Sequence, residues 1–276
     1  MRRTLLALIG CTVIALGALA SSTQKPDIVS TRELASLNWM EIQKVVPSQI
    51  DTVLLPTGTL EPHGVINNGA DITAPVAIAR AIASEVNAIV APVIPYGMTG
   101  SMDAFPGSFS ISEEAYRAYL RDVLRGLAKC KFKTIVIVNG HGGPQTAVLN
   151  ALAAEVGAEK KVRILVINWW SYASDVTQEV FGQDGGHAAL NETAFIQAID
   201  KSLVHAELYK AEMVTPNPGP GTYTAYPAPS SITLYKAGEG LPDFNPKKAD
   251  EYYAKVNKKV AGLILEMKKK WDLAGL

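Results

Sequence analysis

The run Thr134-Ile135-Val136-Ile137-Val138 constrains this chain more than any other feature, because every position after Thr134 is both apolar and β-branched. A strand with one face in water alternates apolar with polar residues. One that is apolar throughout has to be covered on both faces, as a parallel strand is when helices lie above and below it. The surrounding chain has the matching punctuation. Helix-compatible segments at 34–46, 73–86, 112–129, 144–156 and 246–271, with another beginning near His187, alternate with short apolar runs at 51–55, 88–94 and 162–168. That alternation specifies an α/β layer fold. Segment 34–46 is expected to carry Trp39 and Ile42 on one side of an amphipathic helix. Segment 214–246 differs in kind, since Pro216, Pro218, Pro220, Pro227 and Pro229 interleave with glycine and serine. It reads as a long irregular loop, and such loops usually serve binding or subunit contact.

The first residues read as a targeting segment. Arg2-Arg3 form a basic start, 5–16 an apolar stretch, and Ala18-Leu19-Ala20 a small-x-small cleavage site. Cleavage is expected after Ala20, giving a periplasmic or secreted protein whose remaining single domain spans 21–276, with no stable membrane association. A lipoprotein signal ending at Cys11 would have too short an apolar run before the cysteine, and the stretch is also short for a bilayer anchor. Loss of the leader leaves Cys130 as the sole cysteine, so no internal disulfide can form. Cys130 is expected to be half-buried and inert.

Charge excludes some partners. The 276 residues hold 26 Lys+Arg against 26 Asp+Glu, so nothing points to nucleic acid or an anionic membrane surface. A small molecule is the default partner.

Three of the four histidines sit beside carboxylates or glycines at chain turns, a composition suited to zinc, manganese or iron. Glu61 and His63 lie just beyond the strand expected to end near Pro56, and residues two apart in extended chain project to the same side. The alternative is a surface pair that never meets a metal. Asp71 precedes a helical run; it is either an N-cap or a carboxylate that bridges two ions. His141, within Asn139-Gly140-His141-Gly142-Gly143, is delivered to the carboxyl edge of the sheet, where α/β proteins bind ligands. A phosphate-binding turn is the rival, weakened by the missing third glycine and the absence of a P-loop lysine. His187 and Glu192 stand near a helix start, suited to proton transfer and to ligation or orientation, or else forming a polar pair at a helix terminus. His205 lacks such neighbours and reads as structural. Trp169 and Trp170, at the end of a strand, could be a pocket wall or core.

Taken together these motifs resemble the creatininase family of metal-dependent amidohydrolases. The family's P-x-G-x-x-E-Q-H-G followed by G-x-D is similar to 56–64 with Gly69-Ala70-Asp71; P-x-I-P-Y-G and F-P-G-T are similar to 92–97 and 105–108; N-G-H-G-G-N to 139–144; and H-A-G-x-x-E-T to 187–193. Order is kept from about residue 34 to the C-terminus. Pro62 stands in place of glutamine, Pro144 in place of asparagine, and Met102 or Asp103 where many members carry histidine.

The resemblance implies a three-layer α/β/α sandwich with a mainly parallel central sheet. It implies two divalent ions per subunit, zinc foremost with manganese or iron as alternatives: Glu61, Asp71 and His141 around one, His63 and bridging Asp71 on the other. Some members add a glutamate at the position of Gly143; here Glu192 is the candidate for the missing ligand, and His187 for proton transfer to the substrate. The expected reaction is hydrolysis of a non-peptide C–N bond in a small, compact or cyclic amide through metal-bound hydroxide, the charge of two dications on three carboxylates being suited to holding hydroxide. A metallopeptidase, a lactonase or esterase on the same centre, and a binding protein that kept only the fold remain alternatives. The resemblance also implies a homo-oligomer, such as a hexamer.

Overall fold

The computed structural model describes residues 28–219 and 221–276. The expected leader at 1–20, its cleavage point after Ala20 and Cys11 lie outside the described residues. In chain order the elements are α1 (Trp39–Val45), β1 (Thr52–Thr57), α2 (Ala70–Ile82), β2 (Ala88–Val90), α3 (Glu113–Lys129), β3 (Thr134–Asn139), α4 (Gly143–Lys160), β4 (Arg163–Asn168), α5 (Trp169–Tyr172), α6 (Ser174–Phe181), β5 (Gly186–His187), α7 (Leu190–Ile199), β6 (Val214–Pro216), β7 (Ile232–Leu234) and α8 (Pro246–Leu273).

Strands β2-β1-β3-β4 form a parallel sheet in that order. The β-branched run becomes β3, at the centre and buried at every position. Its alternating side chains divide between two cores. Val136 and Val138 join Leu54, Ile78 of α2, Phe195 of α7 and Val260 of α8 on one face, while Ile135 and Ile137 join Leu55, Leu120 of α3 and Leu152 of α4 on the other. Burial of each such side chain contributes about 1.5–3 kcal/mol, which makes the strand ends a rigid platform.

The order matters for function. From β1 the chain crosses by α2 to β2 on one side, then returns by α3 to β3 on the other, so a crevice opens between the carboxyl ends of β1 and β3.

Several expectations need correction. Segment 34–46 is not one helix: a short 3-10 turn at Leu34–Ser36 precedes α1. Asn38 interrupts them, accepting from the Met40 and Glu41 amides while Glu41 accepts from the Asn38 N–H, a capping box that starts a new helix. Trp39 is consequently 69% exposed. Trp169 and Trp170 open helix α5 rather than end a strand. Cys130, at the end of α3, is exposed, and the exposed His205 has Glu207 as an ionic neighbour at 3.4 Å. The proline-rich 214–246 segment contains β6 and β7, which join β5 in a second sheet of order β5-β7-β6. Apolar Ile232 and Leu234 pack behind it on Ala188 and Ala189, and this burial outweighs the proline content.

Candidate metal centre

The crevice between β1 and β3 receives side chains from five places. Beyond β1 the chain places Glu61 and His63; beyond β3 it places His141; Asp71 comes from the first turn of α2, His187 from β5 and Glu192 from the first turn of α7. Glu61, His63, Asp71, His141 and Glu192 are all buried, and His187 is partly so. Asp71 is not the cap of its helix, since Gly69 occupies that position. Its carboxylate turns inward instead. Close approach fixes it there: a side chain at Gly58 or at Gly140 would collide with the Asp71 carbonyl.

Asp71 stands between two imidazoles. Its Oδ1 lies 2.9 Å from His63 Nε2 and its Oδ2 lies 2.8 Å from His141 Nδ1. Glu61 Oε1 is 3.1 Å from the same His141 nitrogen, and Glu192 Oε2 is 3.7 Å from His63 Nε2. Glu192 is aimed by the Ala188 N–H, which donates to its Oε2 at 2.7 Å. Ala188 adopts φ 54°, a left-handed conformation costly for a residue with a side chain, and this turn points its amide at the carboxylate.

The outer nitrogen of each ring faces a backbone carbonyl: His63 Nδ1 the Glu61 oxygen at 3.1 Å, His141 Nε2 the Met98 oxygen at 3.0 Å, and His187 Nε2 the Pro62 oxygen at 2.7 Å. A carbonyl only accepts, so these nitrogens carry the hydrogens and donate. The inward nitrogens of neutral rings are then bare lone pairs set against carboxylate oxygens. Something positive has to lie between them, a proton or a metal ion, and outer N–H groups held by carbonyls are the usual support of metal-ligating histidine.

Among the described residues three triads have ligand atoms within 4.8 Å of one another: Glu61, Asp71 and His141; His63, Asp71 and Glu192; and Glu61, His63 and His187. The mixed oxygen and imidazole donors of the first two, sharing Asp71, fit a pair of dications. His187 approaches more loosely, with Nδ1 3.5 Å from Glu61 Oε1.

Protons fill the role in the metal-free protein. Burial pushes His63 down, but the charge and hydrogen bond of Asp71, helped by Glu192 and Glu61, hold it up to about 10. Burial likewise opposes the charge on His141, which Glu61 and Asp71 raise well above the usual imidazole range. Asp71 is held well below the usual carboxylate range because His63 and His141 outweigh its burial. Burial pushes Glu192 up to about 7, against the pull of His63. His187 is lowered by burial and then by the charge of His63, 4.3 Å away between ring centres.

Metal binding must therefore expel protons. His63 is raised above its free value of 6.5, so its proton stabilises the metal-free fold fully below that pH and ceases to as pH rises through about 10. Metal affinity should climb over the same window. Zinc titration near pH 7.5 should release about two protons per chain, read calorimetrically in buffers of different ionisation enthalpy; heats independent of buffer would contradict this arrangement.

A cavity of about 510 Å³ opens over Asp71. Its walls include Glu61, His141, His187, Glu192 and Trp170. The paired tryptophans thus split: Trp170 faces the cavity, while Trp169 is buried against Phe195 with ring centres 4.6 Å apart. Gly143 also lines the cavity, and nothing lies within 4 Å of where its side chain would stand; the start of α4 offers no carboxylate and Glu192 reaches in from α7. All six residues expected at the site from the sequence converge here; Thr215, Thr233 and Tyr235, which line the same cavity from the second sheet, were not among them. The apolar-polar-apolar triplets Val214-Thr215-Pro216 and Ile232-Thr233-Leu234 carried that signal in a period of two.

Residues 35–255 match the family model of creatininase, described as creatinine amidohydrolase. The creatinine amidohydrolase of Pseudomonas putida is 23% identical over 231 residues, covering 74% of this chain and 86% of that one. The mycofactocin precursor peptide peptidase of Mycobacterium ulcerans is 29% identical over 183 residues, covering 62% and 67%. Among solved structures, crystalline creatinine amidohydrolase superposes with a TM-score of 0.74 at 21% identity, over 87% of this chain and 98% of that one. A mutant creatininase of Zn–Zn type gives 0.73 at 20% identity, over 87% and 99%, and a manganese form 0.71 at 22%, over 86% and 98%. The fold is thus that of the creatininases.

Proposed function

From the premise that this chain belongs to the creatininase family of hydrolases, we propose that it is a metal-dependent amidohydrolase that cleaves the C–N bond of a small, compact or cyclic non-peptide amide. Glu61, Asp71 and His141 would hold one divalent ion, and His63, Asp71 and Glu192 a second, zinc or manganese in each case. Bound there, two such ions would polarise the amide carbonyl and lower the pKa of water.

The residues around them do the rest. The Ala188 amide keeps Glu192 in place. The Pro62 carbonyl fixes His187 with Nε2 protonated and Nδ1 open toward Glu61. Burial keeps that ring neutral near pH 7, so Nδ1 can accept a proton from the attacking water and return it to the departing nitrogen. Trp170 limits the cavity on one side and helps to exclude bulk water.

The observation that carries this reading is Asp71 held at 2.8–2.9 Å between two inward-facing imidazole nitrogens beneath a cavity. A direct test loads purified protein with zinc or manganese and assays five- and six-membered cyclic amides, linear amides, lactones and peptides. Metal-dependent ring opening of a cyclic amide is the expected result. Cleavage of peptides alone would replace the proposal by the second reading, a metallopeptidase, which the M. ulcerans relative favours; hydrolysis of lactones alone would make it an esterase. We further propose that the protein acts outside the cytoplasm after loss of its leader, and as a homo-oligomer.

A further inference from the structure

The second sheet carries more than His187. Within it His187 of β5 is in register with Thr233 of β7, and Thr233 with Thr215 of β6. The three form one row across the sheet. Backbone hydrogen bonds from Tyr235 to Gly185 and from Asn217 to Leu234 continue the pairing past the strand ends, and both residues lie two positions beyond the threonines, hence on the same face. All of them line the cavity that holds Glu61, Asp71 and Glu192.

That face is polar and uncharged, while the back of the sheet, with Ile232 and Leu234, is buried. The side chains of Thr215, Asn217, Thr233 and Tyr235 have no hydrogen-bond partner among the described residues. Their spacing is a grid of about 5 by 7 Å, one strand separation by two residues along the strand. No lysine or arginine lines the cavity among the described residues.

On the amidohydrolase reading given above, we infer that Thr215, Asn217, Thr233 and Tyr235 form a recognition platform for a neutral ring bearing hydroxyl groups, a sugar or cyclitol attached to the amide being cleaved. Three hydroxyls and an amide supply both donors and acceptors at the scale of a single six-membered ring. An anionic substituent would find no cationic side chain on this wall. An apolar ring would leave four polar groups without partners, which costs affinity. A peptide strand added along the free edge at β6 would meet Pro216, which has no N–H to give.

The test uses the full chain loaded with zinc. Binding of N-acetylglucosamine, of N-acetylcyclohexylamine as its counterpart without hydroxyls, of the corresponding uronic acid and of a tripeptide amide is measured by calorimetry, alongside turnover of each. N-acetylglucosamine should bind at least about tenfold more tightly than the other three. Thr215→Val with Thr233→Val, and separately Tyr235→Phe, should remove that preference without changing zinc content. Equal or tighter binding of the apolar, anionic or peptide compound, no detectable binding of N-acetylglucosamine, or a preference unchanged in both variants would overturn the platform. Turnover of amides without hydroxyl preference leaves the amidohydrolase reading standing and sinks the platform; selective binding with no amide turnover does the reverse.

Discussion

Replacing Asp71 by alanine should empty both metal positions at once and lower kcat/KM for an amide by about three orders of magnitude, some 4 kcal/mol of transition-state stabilisation. The size follows from geometry. Every other carboxylate in the centre faces one side, whereas Asp71 turns Oδ1 to His63 and Oδ2 to His141. Without it each position keeps only one carboxylate and one imidazole, Glu61 with His141 and Glu192 with His63. Asp71→Asn should behave nearly as badly, because the amide keeps the shape but loses the charge that attracts the ions. Metal analysis checks this directly. An Asp71→Ala protein that retains wild-type metal content would show that the carboxylate bridges nothing, and the exposed His205→Ala variant is the control expected to change nothing.

Stripping the metal should cost the fold heavily. An ion present at about a thousandfold excess over its dissociation constant stabilises the folded state by about 4.1 kcal/mol. In a domain of this size each kcal/mol moves the melting midpoint by about 2–4 °C, so losing even one such ion should lower it by about 8–16 °C. The gap should widen with pH, because two effects share a sign. Metal competes better as the imidazoles lose their protons, and the metal-free protein weakens as His63 passes its pKa of about 10 and its charge no longer offsets Asp71. Scanning calorimetry with and without chelator at pH 7 and pH 9 measures both; identical midpoints would mean that no ion is held by the folded state.

Much of this was legible in the amino-acid order, and the part that was not has physical reasons. The β-branched run at 134–138 could only be a strand covered on both faces, and it is. Strand ends bring Glu61, His63 and His141 to the carboxyl edge of the sheet, but their grouping around shared ions was implied only by the resemblance to the creatininase family. Asp71 was ambiguous because a helix start welcomes aspartate for local reasons, and only the close backbone packing at Gly58 and Gly140 turns it toward the centre. The second sheet was hidden because proline argues against strands. Its short strands are held by the buried backs of Ile232 and Leu234, a tertiary contact that local propensity does not register. Segment 34–46 misled in another way: periodicity suggested one amphipathic helix with Trp39 and Ile42 on one side, but the Asn38 cap starts a shorter helix there and Trp39 stands in solvent.

The groups that converge at Asp71 are scattered from residue 61 to residue 192 and come from the ends of β1 and β3, from α2 and α7, and from β5. None of the triads is local enough to gather an ion in an unfolded chain, in contrast with small zinc modules that take shape around their metal. On the proposed reading, capture would thus be the final event of assembly: the polypeptide would complete its layers unaided, and an ion would arrive at a socket already built.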